Sequence, residues 1–228
     1  MFKVHSSTSP VPSLGRVTLI AVAIAIAIIA LLSFALPYGT PAAAMLLDHH
    51  KHSVFPYPFT IQNATYLIFA AGLADLYVRW RTARHEMGFL KQQLLPEGDA
   101  AVLQIADLGP IRRRVSTLYD ADNGFLPYLI DLSITQLQAS RSVDQAVSVL
   151  TSSLDLMMHK LDLRYQTVRY ISWLIPTIGF IGTVVGIAVA LEFINPQNPD
   201  LGLVTGSMAV AFYTTLIALI VSAVIVLF

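Results

Sequence analysis

Hydroxyl groups set on otherwise smooth helix faces are the feature of this chain best suited to chemistry. Pro176, Gly179, Thr183, Gly186 and Ala190 fall within an arc of about 80° when successive residues are placed about 100° apart, and Ser207, Ala211, Thr215, Ala218 and Ser222 fall within a similar arc. Each face carries a mid-span threonine inside a charge-free apolar run, where its hydroxyl can solvate a polar or ionised group in a poor dielectric. Close helix packing is the plainer reading. Gly182 and Gly186 form a small-xxx-small pair, and a threonine can bond its own backbone one turn back. Packing explains the glycines well and the hydroxyls on both helices less well.

Three other clusters favour structural readings. His49, His50 and His52 are too close in sequence to fix a coordination geometry, so a solvated loop is expected and no metal site is assigned. Asp155, His159 and Asp162 share one side of a helix at i, i+4 and i+7, as an ordinary polar face does. Asp75 lies inside an apolar segment but only four residues before Arg79, which makes a structural pair the expected arrangement. With no cysteine, thiolate chemistry and disulfides are excluded, and no cofactor is implied.

The elements that position these residues are membrane helices. Hydrophobic residues make up 55% of the 228 positions and charged residues only 12%, against about 45–50% and about 25% in soluble domains. Zero net charge gives no sign of a nucleic-acid partner. Residues 17–36 form a charge-free run of 20, long enough to cross a hydrocarbon core of about 30 Å, and too long for a typical signal-peptide core. Residues 59–78 are a second span despite Gln62, Asn63, Thr65 and Asp75, because Arg79-Trp80-Arg81 ends them like an interfacial anchor. Residues 170–191 and 203–228 are the third and fourth. The fold class is therefore an all-α membrane protein with four transmembrane helices.

Positive charge sets the orientation. Thirteen of the fourteen lysines and arginines lie in residues 1–16 or between spans two and three, and only Lys51 falls in an outer loop. Residues 1–16 are thus a cytoplasmic tail, 37–58 and 192–202 outer loops, and 79–169 a cytoplasmic helical region, with both termini inside. Pro196 and Pro199 let the chain reverse between the last spans. Because the sequence stops at Phe228, at the end of a span, a cytoplasmic tail beyond it is expected. Pro96-Glu97-Gly98 and Asn123-Gly124 divide the cytoplasmic region into helical pieces. From Val143, the residues Val147, Leu150, Leu154, Met157 and Leu161 form a helical stripe expected to pack. No proline or glycine interrupts 141–175, so one helix from Ser142 into the third span is expected, about 75 Å long.

The stretch Pro176-Thr-Ile-Gly-Phe-Ile-Gly-Thr-Val-Val-Gly186 resembles the third-span motif of the MotA/TolQ/ExbB proton-channel family. Met208-Ala-Val-Ala-Phe-Tyr-Thr-Thr-Leu-Ile-Ala-Leu219 resembles the span that follows it, and four spans with a large cytoplasmic loop resemble the flagellar stator branch. Ala218 stands where the family usually has glycine, and Val210 where ExbB and TolQ carry a glutamate.

The resemblance implies a bacterial inner-membrane protein that forms a homopentameric ring around a dimer of a single-span, MotB/TolR/ExbD-like partner. The partner's aspartate would carry the ion, a proton by resemblance. Pore-lining threonines would correspond to Thr183 and Thr215, with Thr214 as a further candidate, on faces that include Pro176, Gly179, Gly186, Ala211, Ala218 and Ser222. Independently, the last two spans hold no ionisable side chain except tyrosine, so a carboxylate must come from elsewhere. The chain is then a non-enzymatic motor or stator subunit; the alternative is a structural membrane scaffold that conducts nothing.

Overall fold

The computed structural model describes residues 12–49, 53, 55–96, 104, 107–120, 123–194 and 201–227. Lys3, His50, Lys51, His52, Glu97, Gly98, Pro196, Pro199 and Phe228 lie outside them. The described residues form seven helices and no strand: α1 (Leu14–Ala35), α2 (Pro41–Leu47), α3 (Ile61–Leu90), α4 (Leu108–Val115), α5 (Phe125–Ser140), α6 (Val143–Glu192) and α7 (Leu201–Leu227). Three of them, α1, α6 and α7, are long and apolar enough to cross a membrane. The α6 helix is continuous across the boundary between polar stretch and apolar span, as expected from the absence of breakers.

The chain divides into two compact units, one of residues 13–77 and 166–228, the other mainly of residues 78–165. In the first, α1 is apolar all round and Ile29 is its sole buried residue, so its isoleucines and leucines face outward as on a lipid-exposed helix. The core of this unit is Ile175, Ala218 and Ile225, packed by Ile68, Phe69, Ile171 and Val221. Gly72 of α3 brings that helix against Ile225 and Ile171, where an added Cβ would lie 3.0 and 3.1 Å from their side chains.

The polar residues that lower the hydropathy of α3 point inward. Gln62, Asn63, Thr65 and Asp75 are all buried. Thr60, just before the helix, donates to Leu47 O at 3.1 Å and accepts from Asn63 N; the Asn63 amide donates to Pro58 O, and Tyr66 to Leu46 O at 3.0 Å. These bonds fasten the last residues of α2, and Pro58 before α3, to the start of α3. The α2 helix itself is defined by Thr40, whose hydroxyl accepts from Ala43 N, by Pro41 in its first turn, and by Asp48 in the left-handed region (φ 53°) at its end.

In the second unit, Phe89, Leu94, Leu108, Val115, Ile130 and Ile134 form the core. The expected turn at Asn123-Gly124 is present. Gly124 has φ 84°, and a Cβ there would lie 2.6 Å from Tyr119 Cα, so only glycine fits. Arg112 pairs with Asp131 at 3.1 Å, and Tyr119 donates to the same carboxylate at 2.8 Å. Burial, followed by that hydrogen bond, pushes the Tyr119 phenol up to about 12.

The Glu86 carboxylate accepts from Gly124 N and Phe125 N, both at 2.8 Å, and so caps the start of α5 from another helix. Glu86→Ala removes both charge-assisted bonds. The expected cost is about 1.5–3 kcal/mol, read as a lower thermal midpoint of this unit, with Glu86→Gln recovering part of the loss.

Two expectations meet a different arrangement. The apolar stripe of α6 packs only in part against the described residues: Leu150 and Met157 are half-buried, but Val147 is 54% exposed and Leu161 49%. The reason is that the described helices of its unit use other faces for their core. His49 is not in a freely solvated loop either; half-buried, its ring stacks on Tyr57 at 4.3 Å and meets Tyr38 edge-on at 5.0 Å, so the aromatic residues that precede α2 and α3 hold it. Asp155, His159 and Asp162 are exposed on α6.

Candidate functional site

The two small-residue faces meet each other. Three glycines one turn apart let α6 press onto α7: a Cβ added to Gly179 would collide with Ala218 Cβ, one on Gly182 would lie 2.6 Å from Thr214 Oγ1, and one on Gly186 2.6 Å from Ala211 Cβ. Backbones can approach this closely only where neither helix presents a large side chain. Of the nine residues singled out by face and motif, Gly179, Gly186, Ala211, Thr214, Ala218 and Ser222 are buried, while Thr183, Thr215 and Pro176 are half-buried at the margin.

That close approach brings hydroxyls and carbonyls together. Thr183 and Thr215 hydrogen-bond each other through their hydroxyls. Thr183 also lies within bonding distance of Ala211 O (3.0 Å), and Thr215 of Gly179 O (3.0 Å). Thr214 donates to Ala211 O at 2.7 Å and reaches Gly179 O at 3.2 Å. A hydroxyl both donates and accepts, so this cluster can reorient towards a charge brought to its open margin.

One turn away, Pro176 and Ser222 are complementary. Proline has no N–H, so the carbonyl four residues earlier, Ser172 O, loses its helical donor. The Ser222 hydroxyl of α7 donates to it at 2.9 Å. A proline inside a membrane helix is thus satisfied from the neighbouring helix.

Two further polar groups lie beside this cluster, and sequence reasoning had singled out only one of them, Ser207. Asp48, at the end of α2, and Ser207 of α7 are buried and line one small cavity with Gly182, Gly186 and Thr214. Ser207 was visible on the small face of its helix. Nothing in the local pattern marks Asp48, whose burial depends on how the loop folds. Arg79, four residues after the buried Asp75, also donates to Arg164 O and lies over the Tyr165 ring at 4.9 Å.

Residues 126–228, which take in almost all of α5 and the whole of α6 and α7, match the model of the MotA/TolQ/ExbB proton channel family, and this stretch carries that family's domain. No curated protein and no solved structure matches the chain.

Proposed function

We propose that the chain, with its proton-channel domain from residue 126 onward, is the ring-forming subunit of a proton-driven motor or stator complex in a bacterial inner membrane. The observation that carries this reading is the hydroxyl pair Thr183–Thr215, held at the half-buried margin of a glycine-packed helix pair. The α7 helix and residues 170–192 of α6 contain no Asp, Glu, His, Lys or Arg before Glu192, so they cannot by themselves bind and release a proton near neutral pH. A single-span partner of the MotB/TolR/ExbD kind supplies the aspartate, and the hydroxyl cluster solvates it while it is ionised. Five copies around a partner pair turn relative to it as protons pass.

The same reading takes the chain across the membrane four times, with both termini inside. The α3 helix crosses as the second span, since its polar residues are turned into the unit and not towards lipid. The exposed apolar stripe of α6 is then covered by neighbouring copies in the ring. A non-conducting scaffold is the second reading, and the interlocked small faces would serve it equally well.

Reporters test the topology: one after Phe228 and one near Glu97 are expected to read as cytoplasmic, and one near His50 as external. A cytoplasmic signal near His50 removes the four-span arrangement. Purification with the partner is expected to give several copies of this chain per partner pair. A functional monomer removes the ring.

A further inference from the structure

The exposed side of α3 changes character along its length. Leu73, Tyr77, Trp80 and Arg84 follow one another at spacings of four, three and four, so they share one face of the helix. Leu73 is 37% exposed, Tyr77 46% and Trp80 49%, and Arg84 is exposed as well. The face therefore runs from aliphatic through aromatic to basic within about three turns. That order matches the passage from hydrocarbon through interface to phosphate, where tyrosine and tryptophan collect and long basic side chains reach the headgroups.

The basic residues at this end differ in their engagements. Arg79 is drawn inward, donating to Arg164 O and lying over the Tyr165 ring. Arg81 and Arg84 are exposed, and among the described residues neither enters an ion pair. Glu86, two residues after Arg84, is turned away to cap α5. The Arg84 guanidinium lies 4.3 Å from the centre of the Trp80 ring, a cation–π contact that orients both side chains and leaves the in-plane N–H groups able to donate. With the span ending at residue 78, Arg81 and Arg84 lie about 4.5 and 9 Å further along the helix axis. The headgroup layer on each side of a bilayer is about 5–8 Å deep, so both side chains reach lipid phosphate.

We propose that Trp80, Arg81 and Arg84 form a binding site for the headgroup of an anionic phospholipid in the cytoplasmic leaflet. The inference rests on α3 crossing the membrane as the second span. The two guanidiniums hold one phosphodiester through paired N–H donors, and the Trp80 ring packs beside the upper part of the acyl chains. A zwitterionic headgroup carries the same phosphate but also an ammonium group, which two neighbouring guanidiniums repel; an uncharged glycerol headgroup meets no such cost. That repulsion makes the site selective for a lipid of net negative charge.

Tryptophan fluorescence tests the site, because the chain has only two tryptophans and Trp173→Phe leaves Trp80 as the sole emitter. The full chain carrying Trp173→Phe is placed in phosphatidylcholine vesicles with an equal fraction of either phosphatidylglycerol or phosphatidylethanolamine, brominated at the same acyl carbons. Both lipids are expected to quench Trp80, the anionic one at least twofold more. Adding Arg81→Gln/Arg84→Gln is expected to make the two equal; since the bromines sit at one depth in both lipids, a change in the depth of Trp80 does not alter the ratio. Equal quenching before the arginines are changed overturns the headgroup site while the second span stands, and quenching by neither lipid removes the span and the site together. A preference that persists in the glutamine pair overturns the assignment to these arginines. Inorganic phosphate added to the buffer is expected to leave the preference intact, and loss of the preference would overturn lipid as the occupant in favour of soluble phosphate.

Discussion

Gly179→Ala is expected to destabilise the α6–α7 pair by about 2–3 kcal/mol, although alanine is the better helix former. The new methyl group would collide with Ala218 Cβ and would also sit 3.2 Å from Thr214 O and 3.3 Å from Thr215 Cα. None of these atoms can rotate away, because two belong to the backbone and the third is fixed to it. The helices must therefore separate, which also pulls apart the Thr183–Thr215 contact and the bonds to the Gly179 carbonyl. Thermal denaturation in detergent reads this as a lower midpoint, and Gly179→Val is expected to prevent assembly. Ala218→Gly in the same chain removes the nearest obstacle and is expected to recover much of the loss suffered by Gly179→Ala. Gly206 is the control, since nothing lies within 4 Å of a Cβ there. Equal effects at Gly179 and Gly206 would mean that helix contact is not the cause.

Thr183→Val and Thr215→Val test solvation in place of packing. Valine nearly preserves the shape of threonine and removes only the hydroxyl. The carbonyls that these hydroxyls reach, Ala211 O and Gly179 O, lie inside helices and keep their backbone donors, so no buried group is left unpaired and assembly survives. Ion-driven work does not. Losing a hydrogen bond to a charged group costs about 1.5–3 kcal/mol, roughly a ten- to hundredfold loss in a rate limited by that state. Thr177→Val is the control: Thr177 lies on the same helix, off the small face, and its hydroxyl bonds Trp173 O at 2.9 Å.

The three helices long and apolar enough to cross a membrane were legible because hydropathy is a local property. The charge-free runs give α1, α6 and α7, and the lack of breakers gives the continuity of α6. The small faces were legible too, since periodicity shows which residues share a side of a helix. That the two faces press against each other was not, because each helix's pattern is silent about its neighbour; the glycine contacts between Gly179 and Ala218 and between Gly186 and Ala211 join residues far apart in sequence. The same holds for Asp75 and the polar residues of α3, whose burial comes from tertiary packing. Asp48 was the hardest to see. It sits among polar loop residues, and only the docking of α2 on α7 together with the Thr60 and Tyr66 bonds to Leu47 and Leu46 draws it inside. Ser222 carried half a signal: its hydroxyl was visible on the small face, but its task, supplying the donor that Pro176 lacks, requires both helices at once.

Proton flux in vesicles containing the purified chain with its single-span partner tests the central claim most directly, with the wild type compared with the Thr183→Val/Thr215→Val double variant at equal protein content. The expected result is a pH-gradient-driven flux in the wild type that falls at least tenfold in the double variant while copies per partner pair stay the same. Equal flux in the two would contradict the account, as would a correctly assembled wild-type complex that passes no protons.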